Sequence, residues 1–320
     1  MQALHMTSDD NAEMEPYGIV QMRNAIGLTY SHLKIAHMSC YQVTTVGLDG
    51  LNVKANRIRE EKANAVADTT LTSFLNVPEA NPNILVVFEG HSDEVTGEVV
   101  HSNAGGYANM ALISKLLEHN LNKLMWELLP TLTSLRGLLL TSCGGAIRSK
   151  QGREDLIQLV KSRRFTFVVA FANESNDSLK LAAFHNDLAN MMSRPPLAHH
   201  QLWPTIHAPF FMKPLLRKTP VVFIFRQRED HEQVTVRMMY YTANSFWGWL
   251  DPVPCKDLTC KGILSAKTGD NGMVHAECPT CKASADLKAP EFVYDLGEGV
   301  ATVPFPHPTD IAYHVKRVWK

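Results

Sequence analysis

The chain has 320 residues, of which 45% are hydrophobic and 20% charged, and its formal net charge at pH 7 is −1. This composition is typical of a globular protein with a substantial core, and a charge near zero gives no overall attraction for nucleic acid or an acidic membrane surface. No apolar run approaches the roughly 18 residues of a membrane helix, and the acidic N-terminus lacks the pattern of a signal peptide. We therefore expect a cytoplasmic protein with no membrane partner.

The first part of the chain contains two predicted strands. Residues 1–40 show no sustained hydrophobic period and are interpreted as an N-terminal arm. Residues 41–46 are rich in β-branched side chains and predict a strand, and residues 52–75 predict a long helix with one polar face. The apolar run at residues 84–88 predicts a buried strand. The polar loop after it, residues 92–106, is long enough to be functional.

Strands and helices alternate in the middle of the chain. Residues 110–128 carry apolar side chains at helical spacing, and Pro130 ends this predicted helix. Residues 138–141 predict a second buried strand, which a charged helix near 153–162 and an apolar strand at 165–171 follow. This alternation predicts an α/β fold with parallel strands and helices on both faces of the sheet.

The last part of the chain changes character. Residues 195–220 hold six prolines and predict an irregular surface excursion, and residues 221–225 and 234–241 predict two strands. These patterns divide the chain into an N-terminal arm, an α/β domain, a cysteine-rich module and a C-terminal tail, at residues 1–40, 41–245, 246–290 and 291–320.

Two of the predicted strands end on groups that can catalyse acyl transfer. His91 follows one strand, and Cys143 follows another 52 residues later. If these strands are parallel neighbours, their carboxyl ends bring the two side chains together, where open α/β sheets gather active-site groups. Gly144 and Gly145 after the cysteine would let the backbone turn sharply and bring N–H groups towards a developing oxyanion. The alternative is that Cys143 is a small buried apolar residue and His91 an N-cap or a loop residue.

A resemblance to a known family rests on these two strand ends and on the strand and acidic loop that follow them, at residues 86–91, 138–145 and 168–177. They resemble the caspase-like clan of cysteine peptidases, and most closely its CHAT-type members, over about residues 41–192. The resemblance implies a three-layer α/β/α sandwich with a mostly parallel sheet. It also implies that His91 is the general base and Cys143 the nucleophile of a regulated thiol endopeptidase, with backbone N–H groups near Gly90, Ser92 and Gly144 stabilising the oxyanion. Such an enzyme cleaves proteins and is activated by a partner or a loop rearrangement. Caspases likewise carry the histidine about 50 residues upstream of the cysteine.

The sequence departs from the clan at several positions. Clan members usually have glycine directly after the histidine, whereas Ser92 stands here. Thr141 and Ser142 precede the cysteine and do not support aspartate specificity. An acidic substrate pocket would have to come from loop carboxylates, unless these are simply solvated: Asp93, Glu94, Glu174 and Asp177. The departure at Ser92 leaves open a catalytically inactive caspase-like scaffold, or interaction protein, with a misaligned dyad.

Four cysteines near the C-terminus form a second motif. Cys255 and Cys260 make one pair and Cys278 and Cys281 make another, with 17 residues between the two pairs. In a reducing compartment this pattern indicates a metal site rather than disulfides. Four thiolates close a tetrahedral structural zinc site and leave no open position for catalysis, so we predict a zinc-ribbon-like module and no catalytic metal. The wide first spacing leaves His275 as an alternative ligand. Lysines make the module mildly basic. Solvated lysines around a small metal module are the commoner case, and the net charge is near zero, so we expect no nucleic-acid partner.

Overall fold

The computed structural model of the protein describes sixteen segments of the chain: residues 2–7, 42–47, 83–104, 107–121, 126–142, 144–172, 202–207, 216, 219–226, 233–243, 245–257, 259–268, 273–297, 299–308, 310 and 314–315. The chain divides into two compact units, which comprise Met1–Pro209 with Ile224–Val234, and Phe210–Phe223 with Thr235–Lys320. None of the helices in the described segments has the length and apolar content needed to cross a membrane.

The first unit is built on a parallel β-sheet. Its strands in chain order are β1 (Gln2–Thr7), β2 (Gln42–Gly47), β3 (Ile84–Glu89), β4 (Val99–Ala104), β5 (Tyr107–Ala111), β6 (Arg136–Leu140), β7 (Phe167–Phe171) and β8 (Val221–Arg226). Five of them pair in parallel in the order β2-β1-β3-β6-β7. Strand β8, whose last three residues belong to this unit, lies beside β7. Strands β4 and β5 form a separate antiparallel hairpin.

Continuous apolar sequence explains the centre of this sheet. Every residue of β6 and β7 is buried. Because successive side chains of a strand point to opposite faces, both faces of the sheet are covered here, as parallel sheets require. The prediction of an α/β fold with a large, mostly parallel sheet is therefore confirmed. The sheet grows from β1 to β2 on one side and from β1 to β3, β6 and β7 on the other, and the carboxyl ends of β1 and β3 flank this topological switch point.

The helices of the first unit follow amphipathic stretches. They are α1 (Ile113–Asn120), α2 (Gly145–Arg148), α3 (Lys150–Lys161) and α4 (Leu202–His207), with one 3-10 turn at Leu129–Thr131. Helix α3 buries Leu156, Leu159 and Val160 on one side. The predicted helix over 153–162 is confirmed. The helix predicted at residues 52–75 lies outside the described residues.

Three parts of the first unit differ from the sequence prediction. The interpretation of residues 1–40 as an arm misses β1, which pairs with both β2 and β3. The helix predicted from residue 110 begins instead at Ile113, because Met110 belongs to β5, and part of the predicted polar loop is β4. The proline-rich excursion contains α4, whose Ile206 is fully buried and whose Trp203 stacks on Phe225 at a ring separation of 5.1 Å.

The strands of the second unit pair in two antiparallel groups. Its strands are β9 (Val234–Tyr241), β10 (Ser265–Thr268), β11 (Val274–Glu277), β12 (Ser284–Leu287), β13 (Tyr294–Gly297) and β14 (Val300–Pro304). Strand β14 pairs with β9 on one side and β13 on the other, and β10, β11 and β12 form a three-stranded sheet. The region interpreted as a C-terminal tail therefore contributes two strands, one of which, β14, is almost entirely buried.

Candidate functional site

The strands that precede His91 and Cys143 lie side by side. In the parallel pair of β3 and β6, Phe88 stands opposite Leu140. Thr141 extends the pairing, because its N–H and its hydroxyl both donate to the carbonyl oxygen of Phe88, at 2.8 and 2.9 Å. The segments that carry His91 and Cys143 therefore leave the sheet from adjacent points on its carboxyl edge. The sequence prediction of neighbouring parallel strands is confirmed.

The loop after His91 is bound to the helices after Cys143. The Ser92 hydroxyl accepts a hydrogen bond from the N–H of Ala146 at 3.2 Å, and the Ser149 hydroxyl donates to the carbonyl oxygen of Thr96 at 2.9 Å. A Cβ atom at Gly145 would lie 2.3 Å from the carbonyl oxygen of Asp93, so only glycine permits this approach of two backbones. Direct contacts thus fix the loop after His91 relative to the start of the helices after Cys143.

The structure places some of the predicted catalytic residues and not others. His91 is exposed, Gly90 and Ser92 are half-buried, and Gly144 is buried at the start of α2. Cys143 lies outside the described residues, although Ser142 and Gly144 on either side of it are described and buried. The structure therefore brings together the chain segments of the predicted dyad.

The predicted acidic pocket receives little support from the loop carboxylates. One oxygen of Asp93 accepts hydrogen bonds from the N–H of Val95 and from the N–H and hydroxyl of Thr96, at 3.0, 2.7 and 3.0 Å. The N–H of Thr96 holds the pKa of this carboxyl below its usual range. Asp93 thus closes its own turn, while Glu94 is exposed. Glu174 and Asp177 lie outside the described residues.

Replacing Ser149 by alanine tests the link between the loop after His91 and helix α3. The Ser149 hydroxyl both donates to Thr96 and accepts from the N–H of Gly152 as the N-cap of α3. We expect Ser149→Ala to lower the free energy of unfolding by about 1–2 kcal/mol, because a cap and a bond between segments are lost together. Urea denaturation measures this change. Ser162→Ala, which removes only a bond to Leu159 in the same helix, should change it by less, and equal effects would contradict the assignment.

The four cysteines of the second unit form one cluster. Their sulfur atoms lie within 4.8 Å of one another, with Cys255 to Cys281 and Cys260 to Cys278 both at 3.6 Å. A tetrahedral site with metal–sulfur bonds of about 2.3 Å has sulfurs about 3.8 Å apart. The four thiols therefore have the spacing needed to hold a metal ion.

Backbone N–H groups surround the sulfurs of this cluster. The N–H of Asp257 points at Cys255, and the N–H of Cys281 lowers the pKa of the Cys278 thiol to about 6. Burial raises the pKa of the Cys255 thiol to about 12. A Cβ atom at Gly262 would lie 2.6 Å from the sulfur of Cys278, so a larger residue would displace that thiol. The loops are thus shaped around the sulfur atoms, as in metal-binding knuckles.

His275 does not belong to the cluster. It lies on β11 opposite Asp286 of β12, and its Nδ1 is 2.7 Å from an oxygen of that carboxylate. Within the described part of the chain, the four cysteines alone form the group of potential ligands. The alternative in which His275 replaces a cysteine is therefore not favoured.

Comparisons with protein-family models, with curated proteins and with solved structures gave no match. The resemblance to the caspase-like clan therefore rests on the sequence of residues 86–91, 138–145 and 168–177.

Proposed function

We propose that the protein is a cysteine endopeptidase of caspase-like architecture, in which Cys143 is the nucleophile and His91 the general base. The observation that carries the proposal is the pairing of β3 and β6, which start the His91 and Cys143 segments at adjacent points of the carboxyl edge. The contacts of Ser92 with Ala146 and of Gly145 with Asp93 then hold the two segments together. A dyad needs this kind of fixed relation between base and nucleophile.

The proposed chemistry is acyl transfer from a peptide bond. Cys143, as the thiolate, attacks the scissile carbonyl carbon, and His91 protonates the departing amine; water then hydrolyses the thioester with His91 as the base. Backbone N–H groups near Ser92 and Gly144 stabilise the oxyanion, a role that does not need a glycine after the histidine because every residue except proline carries an N–H. We propose proteins as substrates, and a partner protein or loop rearrangement that raises a basal activity already present in the chain alone.

We propose zinc as the ion of the four-cysteine cluster. Four sulfur ligands at tetrahedral spacing favour zinc, and they leave no position for water or substrate. The metal would therefore fix the β10–β12 sheet and its two loops, as a structural ion of a zinc-ribbon-like module, and take no part in the reaction.

Selective labelling of Cys143 tests the proposed dyad. An unpaired cysteine is only a few per cent thiolate at pH 7, whereas an imidazole at hydrogen-bond distance keeps the thiol ionised. The reference is Cys40, the one cysteine of the sequence outside the proposed dyad and the four-cysteine cluster. Under limiting iodoacetamide at pH 7, we expect Cys143 to react at least tenfold faster than Cys40, and His91→Ala to remove this difference. Peptide mapping by mass spectrometry gives both rates in one sample.

The control is His119→Ala, which removes a half-buried histidine on α1 and should leave the rate at Cys143 unchanged. Equal rates at Cys143 and Cys40 in the wild-type chain would contradict the dyad and favour the inactive scaffold.

A further inference from the structure

His91 belongs to a small antiparallel sheet together with β4 and β5. Ser92 forms a bridge with Val99, the N–H of Val100 donates to the carbonyl oxygen of His91 at 2.8 Å, and the N–H of Asp93 donates to Glu98 at 2.8 Å. These bonds place His91 directly opposite Val100. Residues that stand opposite each other in an antiparallel pair have their side chains on the same face.

The register continues from β4 to β5. Val100 pairs with Met110, and Val99 pairs with Ala111. His91, Val100 and Met110 therefore form one row on one face of the sheet, which we call the His91 row. Ser92, Val99 and Ala111 form the matching row on the opposite face.

Burial distinguishes the two faces. Val99 and Ala111 are buried in the core, at 0% and 5% exposure. His91 is exposed, Val100 is half-buried, and Met110 is 38% exposed. The His91 row thus continues from the imidazole into an apolar surface that faces solvent.

We propose that Val100 and Met110 form a subsite for an apolar side chain of the polypeptide substrate, an inference that rests on the proposed peptidase function. Paired residues have Cβ atoms about 5 Å apart, so Met110 lies about 10 Å from His91 along the row. An extended peptide advances about 3.3 Å per residue, and the subsite therefore receives a residue within about three positions of the cleaved bond.

The chemistry of the subsite selects apolar side chains. Val100 and Met110 carry neither a charge nor a strong hydrogen-bonding group, so a charged substrate residue would lose water there without gaining a partner. The flexible thioether of Met110 adapts to aliphatic and aromatic side chains of different shape. The occupant is an unfolded or extended protein segment. In an extended segment, a side chain can enter the subsite while the bond to be cleaved, a few residues away, lies at the dyad; the surface of a folded protein does not allow this.

Cleavage-site profiling tests the subsite. A synthetic peptide library of randomised sequence is incubated with the full chain, and the new termini are mapped by mass spectrometry. We expect apolar residues to be enriched at least threefold at one position within three residues of the cut. Met110→Glu should replace this enrichment by Lys and Arg at the same position, and Met110→Lys should replace it by Asp and Glu. Ile263→Glu, which changes a more exposed apolar residue of the second unit (54% against 38% for Met110), should leave the profile unchanged.

The outcomes separate this inference from the function on which it rests. Cleavage that depends on Cys143 but shows no apolar enrichment, or keeps it in both Met110 variants, overturns the subsite and leaves the peptidase function in place. Cleavage that survives Cys143→Ala, or no cleavage by the wild-type chain, overturns the peptidase function and the subsite together.

Discussion

Cys278→Ser is expected to abolish metal binding and to unfold the three-stranded sheet of β10, β11 and β12. Cys278 is fully buried, and its sulfur lies 3.6 Å from that of Cys260. Few residues of these three strands are buried: Ala266, Val274, Ala276 and Leu287. A module of this size depends on its ion, because the free energy of metal binding is also its folding free energy.

Metal analysis and hydrogen exchange measure the two parts of this prediction. We expect one zinc per wild-type chain and none in Cys278→Ser, together with loss of amide protection in β11. His275→Ala is the matched control, since it removes the bond to Asp286 and no sulfur ligand, and it should keep the metal. A Cys278→Ser chain that still holds one zinc would contradict the four-sulfur site.

The sequence predicts the centre of the candidate site because strong local patterns specify it. The runs that became β3, β6 and β7 are continuously apolar, which is the signature of strands buried on both faces, and their order along the chain implies parallel neighbours. The four-cysteine cluster was equally predictable, because two cysteine pairs at metal-ligand spacing indicate a metal site when the compartment is reducing.

Long-range pairing explains what the sequence did not predict. Strand β1 lacks an apolar run of its own and is defined by its neighbours β2 and β3. Met110 fits the helical period of the residues after it, and only its pairing with Val100 places it in β5. For this reason the His91 row was not visible in the sequence. The role of Ser149 likewise depends on Thr96, which lies 53 residues away.

Gly145 shows how the fold positions the proposed dyad, and Gly145→Ala is expected to reduce catalysis by about 100-fold. The new Cβ would lie 2.3 Å from the carbonyl oxygen of Asp93 and 2.7 Å from its carbonyl carbon. The obstacle is backbone, so the loop that carries His91 has to move. A displacement of about 1 Å in a catalytic group costs about 100-fold in rate.

Gly145→Ala also distinguishes the effect of packing on stability from the effect of helix propensity. Alanine is a better helix former than glycine, so at an open position in α2 it would stabilise the chain. Overpacking against Asp93 should instead lower the free energy of unfolding by about 1–3 kcal/mol. Ser92→Ala is the control, because it removes the hydrogen bond to Ala146 without adding volume. It should have the smaller effect on both the rate of peptide cleavage and the free energy of unfolding. Cleavage assays and urea denaturation of both variants measure these two quantities. If Gly145→Ala cleaves peptides as fast as the wild-type chain, the contact between Gly145 and Asp93 does not hold His91 in its working position.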